Sequence, residues 1–389
     1  MNLSLESFMY TQPRTHEQEY PPIKVGAVIR EASFDDYPGI NRLSSRQGLP
    51  IKGYAEWERF WAANPTYNCI QDWPIGWVVE ADNEIVGYLG NIPRKYDYAG
   101  RHLIAAASHG LAVDPNYRNY SLPLIGRFYR QPQAELLLNT TANFQAAQAY
   151  RMFRATQVPV GDWNHAVYWI TDYRGFMDRV LSTKKIPMAS IVSIPVGGFM
   201  HLKDSIVNRK PTPPSDSCLV SSYDHFDERF DTFWKEAVEQ RCGRLMATRS
   251  REILEWHFQC DISLGKAWLA TVEDKSGLIA YAVFCRQDSP GFGLTRVRLV
   301  DFQTLSGRTE LLVPLIAWGL DKCREQRVHM LEAIGFAHRK QEILQGLAPY
   351  RRDLPSWLYF YKANNATLAQ ALFDPQIWDP CCFDGDSSL

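Results

Sequence analysis

The sequence lacks the residue patterns that mark several common enzyme classes. It has no G-x-S-x-G, H-E-x-x-H or G-x-x-x-x-G-K-[ST] motif, which argues against a common serine hydrolase, a zincin and a P-loop ATPase. None of its eight cysteines forms a C-x-x-C pair, and no Cys/His spacing suits zinc. We therefore expect no metal site, and we expect the cysteines to be reduced and mostly buried, as in a cytosolic protein.

Long apolar runs and an excess of either charge are also missing. No run of about 18 apolar residues occurs, so no transmembrane helix is expected. Residues 1–22 do not have the basic and apolar regions of a signal peptide. Lys and Arg number 42 against 43 Asp and Glu, for a net charge of −1, so no overall basic field attracts nucleic acid or an anionic membrane. These absences predict a cytoplasmic protein with no membrane span and no nucleic-acid partner.

The chain of 389 residues is long enough for two domains of ordinary size. We expect an N-terminal arm (1–24), a first domain (25–205), a proline-rich linker (206–217) and a second domain (218–389). The order strand, strand, strand, helix, strand, helix recurs in both halves, which indicates two copies of one architecture. The predicted fold class is α/β (α+β), with each domain a mixed, mostly antiparallel sheet flanked by helices.

Residues 76–113 contain the clearest strand pattern. Three apolar, strand-like segments are separated by turn signals at Asp82-Asn83 and Ala99-Gly100. This pattern predicts an antiparallel meander that leads directly into the most informative stretch of the chain, residues 111–150.

The first half of that stretch can hold a phosphate. We expect a strand that ends at Asp114-Pro115, followed by a turn and a helix. Backbone N–H groups from Arg118 to Pro123 would then face outward at the helix start, where the helix dipole and the arginine favour an anion. The alternative is an ordinary N-capped helix with a solvated arginine.

The second half places an amide and a phenol on one helix. Asn143 follows a buried strand, and Tyr150 lies seven residues later, two turns along the same helix face. Asn143 can contact a ligand between the two strands, and Tyr150 can supply a proton. The alternatives are a helix-capping asparagine and a core tyrosine.

Together the two halves resemble the GCN5-related N-acetyltransferase superfamily. The chain matches its V-x-P-x-x-R motif and the spacing of its N-x-x-A-x-x-L-Y motif. The matching residues are Val113, Pro115, Arg118, Asn143, Ala146 and Tyr150. Three positions depart from the family pattern, because Ser121, Pro123 and Arg154 stand where glycines are expected.

The resemblance implies a coenzyme A-dependent acyltransferase, with acetyl-CoA or a longer acyl-CoA as donor. Tyr150 would protonate the leaving thiolate. The residues implied to bind the cofactor are Leu111, Ala112, Val113, Arg118, Asn119, Tyr120, Ser121, Leu122 and Asn143. Because a missing glycine narrows the approach of backbone to phosphate, the donor can instead be the phosphopantetheine of an acyl carrier protein.

The general base is a separate question. By the period-two alternation of a strand, His109 shares a face with Leu111 and Val113, and the imidazole suits acid–base chemistry. A core histidine is the alternative. The other candidates for the base are Glu31, Asp162 and His165.

The second half lacks the V-x-P-x-x-R frame, so we interpret it as a non-catalytic copy that builds the acceptor cleft. Asp384 and Asp386 either bind an acceptor amine or a metal, or form an exposed acidic tail. Arg351 and Arg352 either bind an anionic acceptor or form a surface pair.

The predicted function is transfer of an acyl group to an amine such as an amino sugar or amino acid. Two alternatives are a Fem-like aminoacyl transferase that uses aminoacyl-tRNA and a non-catalytic binding module of the same fold.

Overall fold

The computed structural model of the protein describes residues 24–161, 163–183, 219–289, 291, 293–354 and 356–389. These residues form two sheets, each flanked by helices, which confirms the predicted fold class. The predicted linker and all but Lys24 of the predicted arm lie outside the described residues.

The first sheet starts with the predicted meander. Its strands are β1 (Val28–Glu31), β2 (Gly76–Ala81), β3 (Glu84–Tyr98) and β4 (Arg101–Val113), all antiparallel neighbours. The turn residues Asp82, Asn83, Ala99 and Gly100 all have φ between 49° and 76°, the left-handed conformation of tight two-residue hairpins. Two helices precede β2, namely α1 (Tyr37–Arg46) and α2 (Tyr54–Glu58), and α1 packs against β3 and β4.

After β4 the chain crosses over and returns in parallel. A 3₁₀ helix (Pro115–Tyr120) runs straight into α3 (Ser121–Arg130), and β5 (Leu136–Ala142) then pairs in parallel with β4. Helix α4 (Phe144–Met152) and the short β6 (Thr156–Gln157) follow. A parallel pair needs such a crossover, and the crossover places the starts of α3 and α4 at the same edge of the sheet.

The second sheet repeats this plan. It has the order β14-β7-β13-β12-β11-β10-β8. Its strands are β7 (His165–Ile170), β8 (Val220–Tyr223), β10 (Ala267–Asp274), β11 (Gly277–Arg286), β12 (Arg296–Thr304), β13 (Met330–Ile334) and β14 (Tyr350–Asp353). The two-residue β9 (Met246–Ala247) instead pairs with β3 of the first sheet. The helices around the second sheet are α5 (Tyr173–Thr183), α6 (Glu228–Gln240), α7 (Arg251–Ser263), α8 (Leu312–Glu325) and α9 (His338–Leu347).

The two sheets exchange strands. β7 comes from the first half of the chain but pairs with β13 and β14 in the second sheet. β15 (Leu358–Ala363) comes from the second half but pairs with β5 and β6 in the first sheet. The last helix, α10 (Ala366–Ala371), follows β15. Each sheet therefore depends on both halves of the chain, and one hydrophobic core joins them.

Both sheets have an irregular strand at the same place in the plan. β4 has a register shift opposite Tyr88–Gly90, and β12 has one opposite Val283–Phe284. In each case the next strand pairs in parallel for only a few residues, up to Ala107 in β4 and Leu299 in β12. The two sheets therefore share two features: the order of their elements and a gap between two parallel strands.

Among the described residues, no helix is both long enough and apolar enough to cross a membrane. The seven cysteines in the described part of the chain are unpaired. Four are buried and three are exposed.

Candidate active site

The parallel strands β4 and β5 separate at a cavity. Their pairing ends at Ala107 and Leu138, although β4 continues to Val113 and β5 to Ala142. Backbone groups of residues 108–113 that face β5 therefore have no strand partner there. A cavity of about 600 Å³ lies at this separation, with His109, Leu111, Asn143 and Tyr150 in its wall.

A β-bulge in β4 separates the strands. Gly110 has φ of 65°, and Gly110 and Leu111 together oppose the single residue Leu89. The extra residue reverses the alternation of side chains, so His109 shares a face with Ala112 and not with Val113. The sequence-based alternation for His109 was therefore wrong. The glycine within the strand was the signal that could have shown the bulge.

Tyr150 is a buried residue of the cavity wall. Its ring packs against Tyr129 and Phe360, with centroids 5.7 and 5.9 Å away. Burial, and secondly the charge of Asp386, hold its pKa well above the usual 10. The hydroxyl makes no hydrogen bond within the described part of the chain. Tyr150 is therefore a protonated phenol that faces a cavity and is available to a ligand.

Asn143 caps α4 as the alternative interpretation proposed, and it also lines the cavity. Its side-chain oxygen accepts from Ala146 N at 2.8 Å. The amide nitrogen is left for other contacts. At the other end of α4, Arg154 has φ of 63°, the left-handed conformation that glycine adopts most readily. The backbone at this position therefore has a conformation typical of glycine, although the residue is an arginine.

The turn after β4 begins with a short 3₁₀ segment. It starts at Pro115, where Asp114 Oδ1 accepts from Asn116 N, and the non-helical Tyr117 separates it from the helical residues that follow. Because the 3₁₀ helix continues into α3, the Ser121 N–H donates to Arg118 O. The N–H of Ser121 is therefore bonded within the helix, and it is not one of the outward-facing groups expected between Arg118 and Pro123. Of the nine predicted cofactor-binding residues, Leu111 and Asn143 line the cavity.

The other seven are not part of the cavity wall. Ala112 and Val113 pair with β3. Tyr120 Oη accepts from Ala27 N at 3.0 Å, and Arg118 Nη1 donates to Pro115 O at 3.1 Å. The remaining three, Asn119, Ser121 and Leu122, are exposed or half-buried at the start of α3.

The last residues of the chain enter the cavity, which corrects the expectation of an exposed acidic tail. Asp386 Oδ2 lies 3.1 Å from His109 Nδ1, and its other oxygen accepts from Thr140 Oγ1 at 3.2 Å. Because His109 is on β4 and Thr140 is on β5, this one carboxylate bridges the two separated strands. The side chains of His109 and Asp386 are only 19% and 14% exposed.

Close packing fixes the tail in this position. A Cβ at Gly385 would lie 2.1 Å from Thr140 Oγ1, so only glycine fits there. Tyr96 Oη donates to Asp384 O at 2.8 Å, and Gln287 Nε2 donates to Ser387 O at 3.0 Å. The tail thus contacts both sheets and presents Asp386 to the cavity.

A buried charge cluster lies under the tail. Arg249 Nε lies 2.8 Å from Asp301 Oδ2, and its Nη2 lies 3.4 Å from Asp384 Oδ1, with all three side chains buried. Burial raises the pKa of Asp384 to about 6, although Arg249 opposes the shift. Asp384 therefore carries its charge at neutral pH at a cost in stability.

We expect Asp384→Asn to remove a pH dependence of stability. The folded-state pKa of about 6 lies above the ordinary 3.8, so this carboxyl group stabilises the fold below pH 3.8. That contribution is lost as the pH rises through 6. The rise in the pKa of Asp384 corresponds to a change of roughly 3 kcal/mol in the free energy of unfolding. Urea unfolding between pH 4.5 and 7 should show that the free energy of unfolding of the variant increases relative to that of the wild type as the pH rises. A constant difference between the two free energies across this pH range would contradict the prediction.

The second sheet and its loops form the opposite wall of the cavity. Gln287, Asp288, Arg296 and Trp357 line it there, together with Ser387. Near α1 and α2 the wall is aromatic, with Tyr37, Trp57 and Tyr88. None of these residues was singled out from the sequence, because no local motif marks them.

The remaining candidates for the base lie elsewhere. Glu31 is exposed on β1. His165 Nε2 lies 3.4 Å from Asp353 Oδ1 near the start of β7 and is not part of the cavity wall. Asp162 falls outside the described residues. The described side chains include no cluster of three or more His, Cys, Asp or Glu residues that could hold a metal ion.

Comparison with known proteins shows the fold. No protein-family model matches the sequence, and no curated protein matches it either. Among solved structures, a GCN5-related N-acetyltransferase from Anabaena variabilis is 12% identical, with a TM-score of 0.52 over 87% of this chain and 73% of its own. Saccharomyces cerevisiae N-myristoyltransferase with bound myristoyl-CoA is also 12% identical, with a TM-score of 0.55 over 90% of this chain and 81% of its own.

A putative acetyltransferase from Pyrococcus horikoshii, 12% identical, gives a TM-score of 0.50 over 96% of this chain and all of its own. These similarities confirm the predicted fold, two domains of the N-acetyltransferase type in one chain. At such low identity they show the fold alone.

Proposed function

We propose that this protein is an N-acyltransferase that moves an acyl group from a CoA thioester to an amine, with the chemistry in the first domain. The observation that carries the proposal is the gap between β4 and β5. A protonated tyrosine lies on one side of it, and a His109–Asp386 pair lies on the other. Acyl transfer needs both an acid and a base at the reacting carbonyl.

The donor would enter along the separated strands. Backbone groups of β4 between residues 108 and 113 can pair with the amides of pantetheine as a strand would, and Asn143 is at the same edge. Residues Arg118–Leu122 would hold the phosphate end, whereas Ala112 and Val113 belong to the part of β4 that would pair with pantetheine. The same fold in yeast N-myristoyltransferase contains myristoyl-CoA, which supports an acyl-CoA donor here. The substitutions at Ser121 and Pro123 leave an acyl carrier protein as the other donor.

The proposed reaction assigns one role to each of these groups. The amine nitrogen attacks the thioester carbonyl carbon, a C–N bond forms and the C–S bond breaks. His109 takes the amine proton on Nε2 while Asp386 accepts a hydrogen bond from Nδ1. Tyr150 donates its proton to the departing thiolate. The donor leaves as a free thiol, and the acceptor leaves as an amide.

The second domain would not bind a donor in the corresponding gap, because the chain itself fills it. Cys382 Sγ lies 3.7 Å from Ile334 O at the end of β13, and Lys340 Nζ donates to Phe302 O on β12. Lys340 also forms an ion pair with the buried Asp379 at 2.8 Å. This supports a second domain that serves as a wall of the acceptor site.

The test combines binding and turnover. We expect isothermal titration to show one site for acetyl-CoA or a longer acyl-CoA, and thiol release to depend on an added primary amine. Coenzyme A and a phosphopantetheinylated acyl carrier protein are titrated in parallel to identify the carrier. If neither kind of donor binds, the proposal fails. Retention of aminoacyl-tRNA alone would favour a Fem-like transferase.

A further inference from the structure

The second-sheet wall of the cavity carries more positive charge than it neutralises. Three arginines, Arg296, Arg298 and Arg352, surround the single carboxylate of Glu332, which is completely buried. The neighbouring Asp288 binds Arg286 at 2.5 Å and also accepts from the backbone N–H of Arg296 at 3.0 Å. The three arginines therefore share the one carboxylate of Glu332.

Arg296 is the member of this cluster that lines the cavity. Glu332 is bound more closely by the other two arginines, since Arg298 Nη2 lies 2.9 Å from Oε1 and Arg352 bonds Oε2. Arg296 Nη1 lies 3.5 Å from the same carboxylate, which is longer than a good hydrogen bond. Its Nε donates to Gln287 O at 2.8 Å, which fixes the side chain while leaving its terminal nitrogens weakly paired.

The environment of Arg296 is that of a cation without enough counter-charge. Its side chain is only 17% exposed. Burial lowers its pKa to about 10, although Glu332 opposes the shift. An arginine that remains charged while it is desolvated gains from an anion in a geometry that its planar fork can bind.

Arg296 is also connected to the proposed base. Gln287 accepts from Arg296 through its backbone and donates to Ser387 O at 3.0 Å. Ser387 is adjacent to Asp386, which contacts His109. One continuous wall therefore carries the base at one end and the under-neutralised arginine at the other.

Resting on the proposed function, we propose that Arg296 binds an anionic group of the acceptor, so that the substrate class is primary amines that also carry a carboxylate or phosphate. The amine lies at His109 and the anion at Arg296, both in the cavity of about 600 Å³. The anion would neutralise positive charge of the three arginines that the single carboxylate of Glu332 does not neutralise.

The test measures binding to the full-length protein without any donor. The probes are matched pairs that differ in the anion: ω-amino acids of increasing length against alkylamines, and glucosamine 6-phosphate against glucosamine. We expect at least one anionic member to bind about 10-fold tighter than its neutral partner, as for a hydrogen bond to a charged group. Arg296→Gln should abolish this preference and leave binding of the neutral member unchanged.

Three controls give the result one meaning. Arg351→Gln changes an exposed arginine outside the cavity and should have no effect. Arg296→Lys keeps the charge and should retain part of the preference for the anionic member. The melting temperature of each variant is measured, so that a loss of binding caused by misfolding is distinguished from one caused by the loss of the charge. Equal binding within every pair, or equal loss for both members in Arg296→Gln, would overturn the assignment. Acyl transfer without an anion preference would leave the proposed function standing, whereas a preference without acyl transfer would remove only that function.

Discussion

Tyr150→Phe is expected to lower kcat for acyl transfer by roughly 100- to 1,000-fold, the range of a general acid, with little change in stability. The hydroxyl supplies the proton for the thiolate. The described residues of the cavity wall include two other phenols, but Tyr37 donates its hydroxyl to Lys52 O at 2.7 Å and the Tyr88 hydroxyl is buried within the wall. Because the Tyr150 hydroxyl makes no hydrogen bond within the described part of the chain, its removal should cost less than about 0.5 kcal/mol. Steady-state kinetics and thermal unfolding measure the two quantities.

The matched control is Tyr361→Phe. Tyr361 lies on β15, and its hydroxyl donates to Leu372 O at 3.1 Å, outside the cavity. That variant should lose about 1 kcal/mol of stability with an ordinary kcat, the reverse of Tyr150→Phe. A Tyr150→Phe enzyme with unchanged kcat would exclude the tyrosine as acid. If the cellular activity of the protein also persisted, a non-catalytic module would be favoured.

Local sequence predicted the elements on which this site is built. The meander was confirmed because Asp82-Asn83 and Ala99-Gly100 can adopt the left-handed conformations of tight turns. The start of α4 was predicted because Asn143 is a good cap. Each of these decisions depends on residues within a few positions of one another, so one sequence is sufficient to make them.

The strand exchange could not be predicted in the same way. The segments of β7 and β15 have the apolar, aromatic composition of buried strands, and this composition fits either sheet equally well. The pairing is decided by partners far along the chain, such as β13 for β7 and β5 for β15. Strand composition reports burial, but it does not report the identity of the neighbour.

The acidic end of the chain shows the same limit at the level of single residues. The F-D-G-D sequence of residues 383–386 has the composition of a solvated tail, yet Asp384 and Asp386 are buried or nearly so. Their partners Arg249 and His109 lie 135 and 277 positions earlier in the chain. Only Gly385 hinted at close packing, since a glycine permits the contact with Thr140.

His109→Ala is expected to lower kcat/KM by about 1,000-fold, within the range of a general base, and added imidazole should restore part of the loss. The ring lines the cavity, so its removal opens space where an imidazole molecule can bind and accept the amine proton. A purely structural histidine would not be replaced in this way. The matched control is His102→Gln, on the same strand, which contacts Asp97 at 2.7 Å but is 62% exposed and outside the cavity.

Asp386→Asn tests the positioning of that base. We expect a loss of roughly 10- to 100-fold in kcat/KM. The double variant His109→Ala/Asp386→Asn should have the same kcat/KM as His109→Ala alone, because the effects of substitutions are not additive when the residues act as a unit. Thr140→Val removes the other contact of the Asp386 carboxylate and should change kcat/KM less than Asp386→Asn does. Additive losses in the double variant would show that Asp386 holds the tail in place without orienting His109. Non-additive losses would identify the bridge between β4 and β5 as part of the catalytic geometry, in which the tail of residues 384–388 completes the proposed active site.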